Sequence, residues 1–316
     1  FGTSDLYITL LERSVTNDAF SPDRNIGMMI YDNYRDGVVS WAAGMFRPNS
    51  DSNAGHVDSG DGEYATTGRI NFNPWYDHDG RCVFMLGGAY SYRALTNQPE
   101  RADAAKPDLV GINNTARFRT RIPLRVGGTT GANSERVVDT GSFVCDNVQL
   151  FNLQSLLVLG SFSLQAEVYW VQVHDALEGK VRINPNYNGF YVEASYFLTG
   201  ENRRYKRTTA TIDRPIPHEP FFFVKGDEAG ERKVHFGRGA WELVARYETI
   251  DLGNSIVTSD FQGREQDIIL GLNWWLNPNF RVQLNYVYAD IDGLNTKNTN
   301  RSGTVHAFGA RFQWDW

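Results

Sequence analysis

The chain has 316 residues, a formal net charge of −6, 13% aromatic residues, 30 Gly and 11 Pro. This composition excludes a disordered chain, and apolar runs such as 156–159 stop far short of the roughly 20 residues a spanning helix needs, which excludes a helical transporter. The membrane architecture still open is a closed β-barrel, whose alternate residues face lipid and water and so leave a polar mean hydropathy, here −0.43.

Read in chain order, helical spacing is nearly absent, and alternation of apolar with polar residues, the mark of a strand, recurs throughout. Strands are predicted over 25–32, 38–47, 64–73 and 81–93, then over 115–124, where Ala116, Phe118, Thr120 and Ile122 alternate with Arg117, Arg119 and Arg121. A strand at 148–159 turns through Gly160-Ser161 into one in which Phe162, Leu164, Ala166, Val168 and Trp170 oppose Gln165, Glu167 and Tyr169. Phe190, Val192, Ala194, Tyr196 and Leu198 oppose Tyr191, Glu193 and Ser195; Trp241, Leu243, Ala245 and Tyr247 oppose Glu242, Arg246 and Glu248. The runs 268–276 and 280–288 form a hairpin across Asn277-Pro278-Asn279, a turn composition. In the last run Phe308, Ala310, Phe312, Trp314 and Trp316 stand against Gly309, Arg311, Gln313 and Asp315. The total is about twelve strands.

Most of these runs match the roughly 9 to 11 residues of a tilted strand crossing a bilayer and exceed the usual soluble strand. Short connections alternate with long polar ones near 174–188, 249–264 and 290–302, as periplasmic turns alternate with external loops. The stretch 200–238 breaks that rule, being long where parity asks for a turn. Either it hides a strand pair, near 221–224 and 233–236, or it folds back as a plug. A soluble sandwich accounts for alternation equally well. It accounts less well for aromatics at the ends of the apolar faces, Trp170, Tyr286, Tyr288, Trp314 and Trp316, where a membrane barrel carries girdles.

The residues of the C-terminal half carry a resemblance. Residues 189–201 (GFYVEASYFLTGE), 239–247 (GAWELVARY), 270–279 (LGLNWWLNPN) and 310–316 (ARFQWDW) resemble the phosphate-selective porin O/P family. Residues 12–27 (ERSVTNDAFSPDRNIG) and 138–141 (VDTG) are similar to further motifs of it. The resemblance covers nearly the whole chain and implies an all-β fold, an antiparallel transmembrane β-barrel of 16 strands. It implies a homotrimer in the outer membrane of a diderm bacterium, in contact with lipids and lipopolysaccharide, passing small anions such as phosphate, with no enzymatic activity and no cofactor. The family's first strands precede the motif that opens this chain, and a twelve-strand arc would leave two unpaired edges in hydrocarbon. Residues 1–316 are therefore expected to be one barrel domain lacking its N-terminal strands, and the start at Phe1, with no Met and no signal-like segment, fits a processed chain or a piece of a longer one.

For a pore the chemistry lies on the inward register. Arg117, Arg119 and Arg121 offer three forked donors about 7 Å apart along one strand face, a succession on which an oxyanion can be handed along. The same face at a strand end near an external loop would only meet water or lipopolysaccharide phosphates. Arg69, Arg246, Arg281 and Arg311 share the inward face as further pore-lining, anion-binding candidates; Glu167, Glu193, Glu242 and Glu248 share it too, and such mixed signs more often brace the lumen than form a selectivity filter. Arg203, Arg204, Lys206 and Arg207 form the densest basic run, an anion funnel if 200–238 enters the pore and a solvated loop if it does not.

The acidic balance argues against a nucleic-acid partner. The six histidines are scattered, with no Gly-x-Ser-x-Gly elbow or metalloprotease motif, and the acidic loop Asp51, Asp58, Asp61, Glu63 lacks the spacing of an EF-hand, so no metal site is expected. Cys82 and Cys145 show no metal-ligand spacing, and pairing between them stays open. The terminal Trp316 fits an outer-membrane assembly signal and an interfacial anchor alike. Against the anion porin stands a structural barrel, an envelope anchor or complex partner whose lumen is occluded by 200–238.

Overall fold

The computed structural model describes residues 4, 6–22, 25–47, 56–58, 64–95, 115–124, 136–178, 181–228, 231–253, 263–293 and 302–315. Eleven strands form one antiparallel sheet in which each pairs with its predecessor: β1 (Ile26–Tyr34), β2 (Val39–Arg47), β3 (Ala65–Asp77), β4 (Cys82–Ala94), β5 (Asn147–Leu159), β6 (Phe162–His174), β7 (Asn186–Phe197), β8 (Ala240–Asp251), β9 (Gly263–Asn277), β10 (Phe280–Gly293) and β11 (Gly303–Trp314). Among the described residues β1 and β11 are the margins of the sheet. Short turns at 35–38, 78–81, 160–161 and 278–279 lie at one end. The Arg35-Asp36-Gly37 turn has φ of 48°, 54° and 88°, the left-handed geometry that tight hairpin turns demand. Pro74 sits where the β3–β4 register slips between Phe72 and Trp75, the bulge position at which a strand tolerates a missing N–H.

One face of the sheet is apolar and exposed, the other polar and buried. Ile70, Leu86, Leu153, Leu243, Leu270, Leu284, Phe308 and Phe312 stand outward, each at least 45% exposed. Glu167, Glu242, Glu248, Glu265, Asp267, Asn273, Arg281 and Gln283 on neighbouring positions are at most 1% exposed. A strand sheet in water places these sets the other way round, so the outer face is built for lipid. Outward aromatics meet across strands near one end: Tyr90 against Phe151 at 4.9 Å and Phe190 against Tyr247 at 5.9 Å between ring centroids.

The inner face is covered by other parts of the chain. Helix α1 (Val15–Phe20) is capped by Ser14, whose hydroxyl accepts from the Asn17 N–H, and its Val15, Ala19 and Phe20 join Phe118, Val138, Phe143, Val171, Tyr187 and Ile250 in the main apolar cluster. Leu10 packs on Val244, Ile269 and Val287.

The predicted strand over 115–124 is strand only at Thr115–Arg117, and it lies inside the sheet, not in it, pairing with His56–Asp58 and Phe143–Val144. Alternation identifies an extended segment between two unlike surroundings but not which surroundings they are. Here the apolar side, Ala116 and Phe118, meets the interior cluster instead of lipid.

After β7 the long connection makes two hairpins. Tyr205–Lys206 pairs with Thr211–Ile212, and Tyr205 packs on Val83, Met85, Leu156 and Val158 of the inner face. Phe222–Glu228 then pairs with Glu231–Gly237. At its base Phe221 meets Trp274 edge-on, Trp274 stacks on Trp241 at 5.0 Å, and both indoles donate to the Arg238 carbonyl.

Candidate functional site

The interior contains three layers of chemistry: a clamped backbone, an arginine-bearing ribbon and a latch from the 200–238 connection. The clamp comes from the wall. Arg281 donates to the Ile8 carbonyl at 2.7 Å, Asn273 and Gln283 to that of Thr9 at 2.7 and 3.2 Å, and Arg311 to that of Leu11 at 2.6 Å. Arg246 forks to the carbonyls of Glu12 and Arg13 at 3.1 and 3.3 Å. The Thr9 hydroxyl donates to Glu193, and the Val15 N–H donates to Glu248 at 3.2 Å. Three of the inward arginines singled out in the sequence thus hold residues 8–13 by their backbone. Arg246 is balanced by Glu248 at 3.1 Å and Glu193 at 3.6 Å, as a buried guanidinium must be. Arg69 donates to the Thr209 carbonyl at 3.2 Å.

The ribbon is made by 115–121 and 136–144. Thr120 and Thr140 donate their N–H groups to the carbonyls of Val138 and Phe118 at 2.8 and 2.9 Å, and Arg119 bridges Asp139 through the backbone. Arg117 grips Asp139 with two parallel bonds, Nε at 2.8 Å and Nη2 at 2.5 Å. Arg121 is buried and Arg119 half-buried. Arg136 reaches Asp18 of α1 at 3.6 Å. Burial, then the neighbouring charges of Arg119 and Arg121, push Arg136 down to about 10, against the pull of Asp18 and Asp139. Arg119 and Arg121 are therefore close enough to act on Arg136.

The basic run after β7 divides. Arg203 is buried, bonded to Glu242 and, at 3.3 Å, to Ser195. Arg207 pairs with Asp36 and lies 4.5 Å over the Tyr76 ring. Arg204 and Lys206 are exposed. Arg214 ties Asp315 and the Tyr7 hydroxyl. Thr9, Glu12, Arg13, Glu193, Arg203 and Arg246 line a cavity of ≈ 50 Å³, room for about three or four waters.

Sequence reasoning missed Arg136, which no periodic run contains, and Arg93, buried and donating to the Phe20 carbonyl at 3.3 Å. It also missed Asp139, although 138–141 was noted as a motif, and the interior seat of residues 6–22. Neither Cys82 nor Cys145 is in a disulfide. Asp51, Asp61, Glu63 and Trp316 lie outside the described residues.

The model of the family described as phosphate-selective porin O and P matches residues 2–316. The chain is 25% identical over 319 residues to an uncharacterized protein of Caulobacter vibrioides, covering 99% of this chain and 56% of that one. It is 25% identical over 347 residues to Porin O of Pseudomonas aeruginosa, covering 99% and 69%. The chain thus spans little more than half the length of the first of these relatives. Among solved structures it is similar to OmpT of Vibrio cholerae, with a TM-score of 0.30 at 13% identity, covering 87% of this chain and 65% of that chain. The in-vitro folded form of OmpT gives a TM-score of 0.30 at 9% identity, covering 91% and 94%. With a family match over nearly its whole length, the chain belongs to the phosphate-selective porin O and P family of integral outer-membrane porins.

Proposed function

We propose that the chain forms most of the wall and the lining of a passive outer-membrane channel for small anions, phosphate among them, within a homotrimer that contacts lipid and lipopolysaccharide. The observation that carries this reading is the gathering of Arg119, Arg121 and Arg136 on one interior ribbon, where burial, and after it the charges of Arg119 and Arg121, push Arg136 down to about 10. Guanidiniums gathered on one face are suited to an oxyanion, which accepts forked bonds from them. Arg69, Arg246, Arg281 and Arg311 serve as braces. Residues 200–238 act as a lumen-folded insertion through Arg203 and Tyr205, with Arg204 and Lys206 on its solvated side.

Planar-bilayer recording on the full-length protein tests the proposal. R119A/R121A is expected to lower the anion-to-cation permeability ratio at least several-fold with the fold retained. Unchanged reversal potentials would overturn it. A second reading, an occluded structural barrel, draws on the small volume of the cavity between residues 6–13 and the wall. It predicts no discrete conductance at any salt.

A further inference from the structure

The long connection between β7 and β8 touches both faces of the wall. On the inner side Arg203 is bonded to Glu242, and Tyr205 packs on Val83 and Met85. Further along, the chain is on the outer side. Trp275 faces in, 2% exposed and donating to Glu242 at 3.3 Å, so its neighbour Trp274 faces out, and it is Trp274 that the Phe221 ring meets edge-on at 4.6 Å between centroids. The Phe221 N–H fixes that position by donating to the Leu276 carbonyl at 2.6 Å. The rings continue through Phe222, 6.0 Å from Phe221, to Phe236, 5.3 Å from Phe222, at the base of the hairpin Phe222–Glu228 and Glu231–Gly237. Phe222 is 50% and Phe236 62% exposed.

These rings extend the lipid-facing surface. The strand register sets Trp241 opposite Trp274, Trp274 opposite Val282 and Val282 opposite Phe312. The next outward row, farther from the turn at 278–279, is Tyr196, Leu243, Leu272, Leu284 and Ala310. Both indole N–H groups are satisfied by the Arg238 carbonyl, at 3.2 and 2.9 Å, so neither needs water. Aromatic rings at the rim of a barrel's apolar band sit at the boundary between headgroups and acyl chains. We propose that Phe221, Phe222 and Phe236, seated on Trp274 and Trp241, form a lipid-docking foot: the hairpin base rests in the headgroup–acyl boundary at the short-turn end, with phospholipid as its partner. Lipid is favoured over a second protein because the foot is continuous with the lipid-facing rows and its two indole donors are already engaged, so what it offers is apolar ring area. One connection thereby grips the interior of the wall and the bilayer outside it.

The experiment places the photo-crosslinking residue p-benzoylphenylalanine at position 236 of the full-length porin in its outer membrane and identifies the adducts by mass spectrometry after irradiation. Position 222, replaced in the same way, is the second variant should the first not assemble. Leu270, 49% exposed on the outer face, supplies the lipid reference, and Arg204, exposed on the insertion, supplies the water reference. Phospholipid adducts at 236 or 222 are expected at no less than about half the yield at position 270, as for a ring at the acyl boundary, and well above that at position 204. Adducts to a second copy of this chain or to another protein in place of lipid, or a lipid yield no higher than at position 204, would overturn the proposal. A lack of lipid adducts at position 270 would remove the lipid-facing wall and the foot together.

Discussion

Removing the Arg246 guanidinium tests the clamp that seats residues 8–13. Arg246 is 5% exposed and makes two bonds to the backbone of Glu12 and Arg13 and two ionic contacts, with Glu248 and Glu193. R246A deletes all four at once. It leaves two buried carboxylates facing each other's charge and two carbonyls without a donor. Breaking a buried pair from one side costs about 3–5 kcal/mol, or about a hundred- to several-thousand-fold in the folded-to-unfolded ratio.

Two companion variants separate charge from geometry. R246A/E193Q/E248Q removes the stranded charges and is expected to recover about half the loss. R246K keeps the charge but cannot fork to both carbonyls, and is expected to lose about 1–2 kcal/mol and to show noisier currents as residues 8–13 loosen. The assay is urea titration of the full-length porin in liposomes, followed by gel mobility, with planar-bilayer traces on the same samples. A loss from R246A below about 1 kcal/mol, the level of a solvated surface pair, would refute the argument that this segment is held by a desolvated clamp.

A pH profile tests the arginine ribbon. The wild type is expected to conduct anions equally between pH 6 and 9, because Arg136 at about 10 stays charged there. Lysine titrates about two units below arginine, so R136K places the group near pH 8 and anion current then falls as pH rises through that value; a flat R136K profile would separate Arg136 from the conducting path. Gly189 of β7 faces α1, where an added Cβ would lie 2.5 Å from Thr16 Cγ2 and 2.8 Å from the Thr249 carbonyl. G189A is expected to cost about 1–3 kcal/mol in the same urea titration, and an unperturbed G189A would mean that α1 does not pack on this wall. F118A, removing a fully buried ring in contact with Phe20 and Tyr187, is expected to cost about 3–5 kcal/mol.

The wall was legible in the sequence because period two fixes which side of a strand each residue takes. In β9, Ile268 and Leu270 stand outward while Asp267, Ile269 and Gly271 face in, as the alternation prescribes. What period cannot supply is the partner. The run with Arg117, Arg119 and Arg121 is extended, as expected, yet it pairs with 143–144 inside the sheet, because an Ala-Phe-Thr face suits an interior cluster as well as lipid. The seat of residues 6–22 was invisible for another reason. Arg246, Arg281 and Arg311 grip carbonyls, and a carbonyl looks the same under every side chain. Their inward placement could be read, but not what they hold. The basic run at 203–207 was read as one cluster, and tertiary contacts with Glu242 and Asp36 separate its members.

The same bonds bear on how a solute crosses. Withdrawing residues 6–13 from the lumen would break seven bonds from wall side chains to the carbonyls of Leu6, Ile8, Thr9, Leu11, Glu12 and Arg13. Even with water replacing each partner, the net loss is about 1 kcal/mol per bond, near 7 kcal/mol in all, before the burial of Leu10 is counted. A passive channel has no energy source to meet that, and a state that costly is populated about once in a hundred thousand molecules. Opening by expulsion of the segment is therefore ruled out as the conducting route. The anion channel proposed above therefore requires a route beside the clamped segment, along the arginine face of the ribbon, with residues 6–13 staying in place.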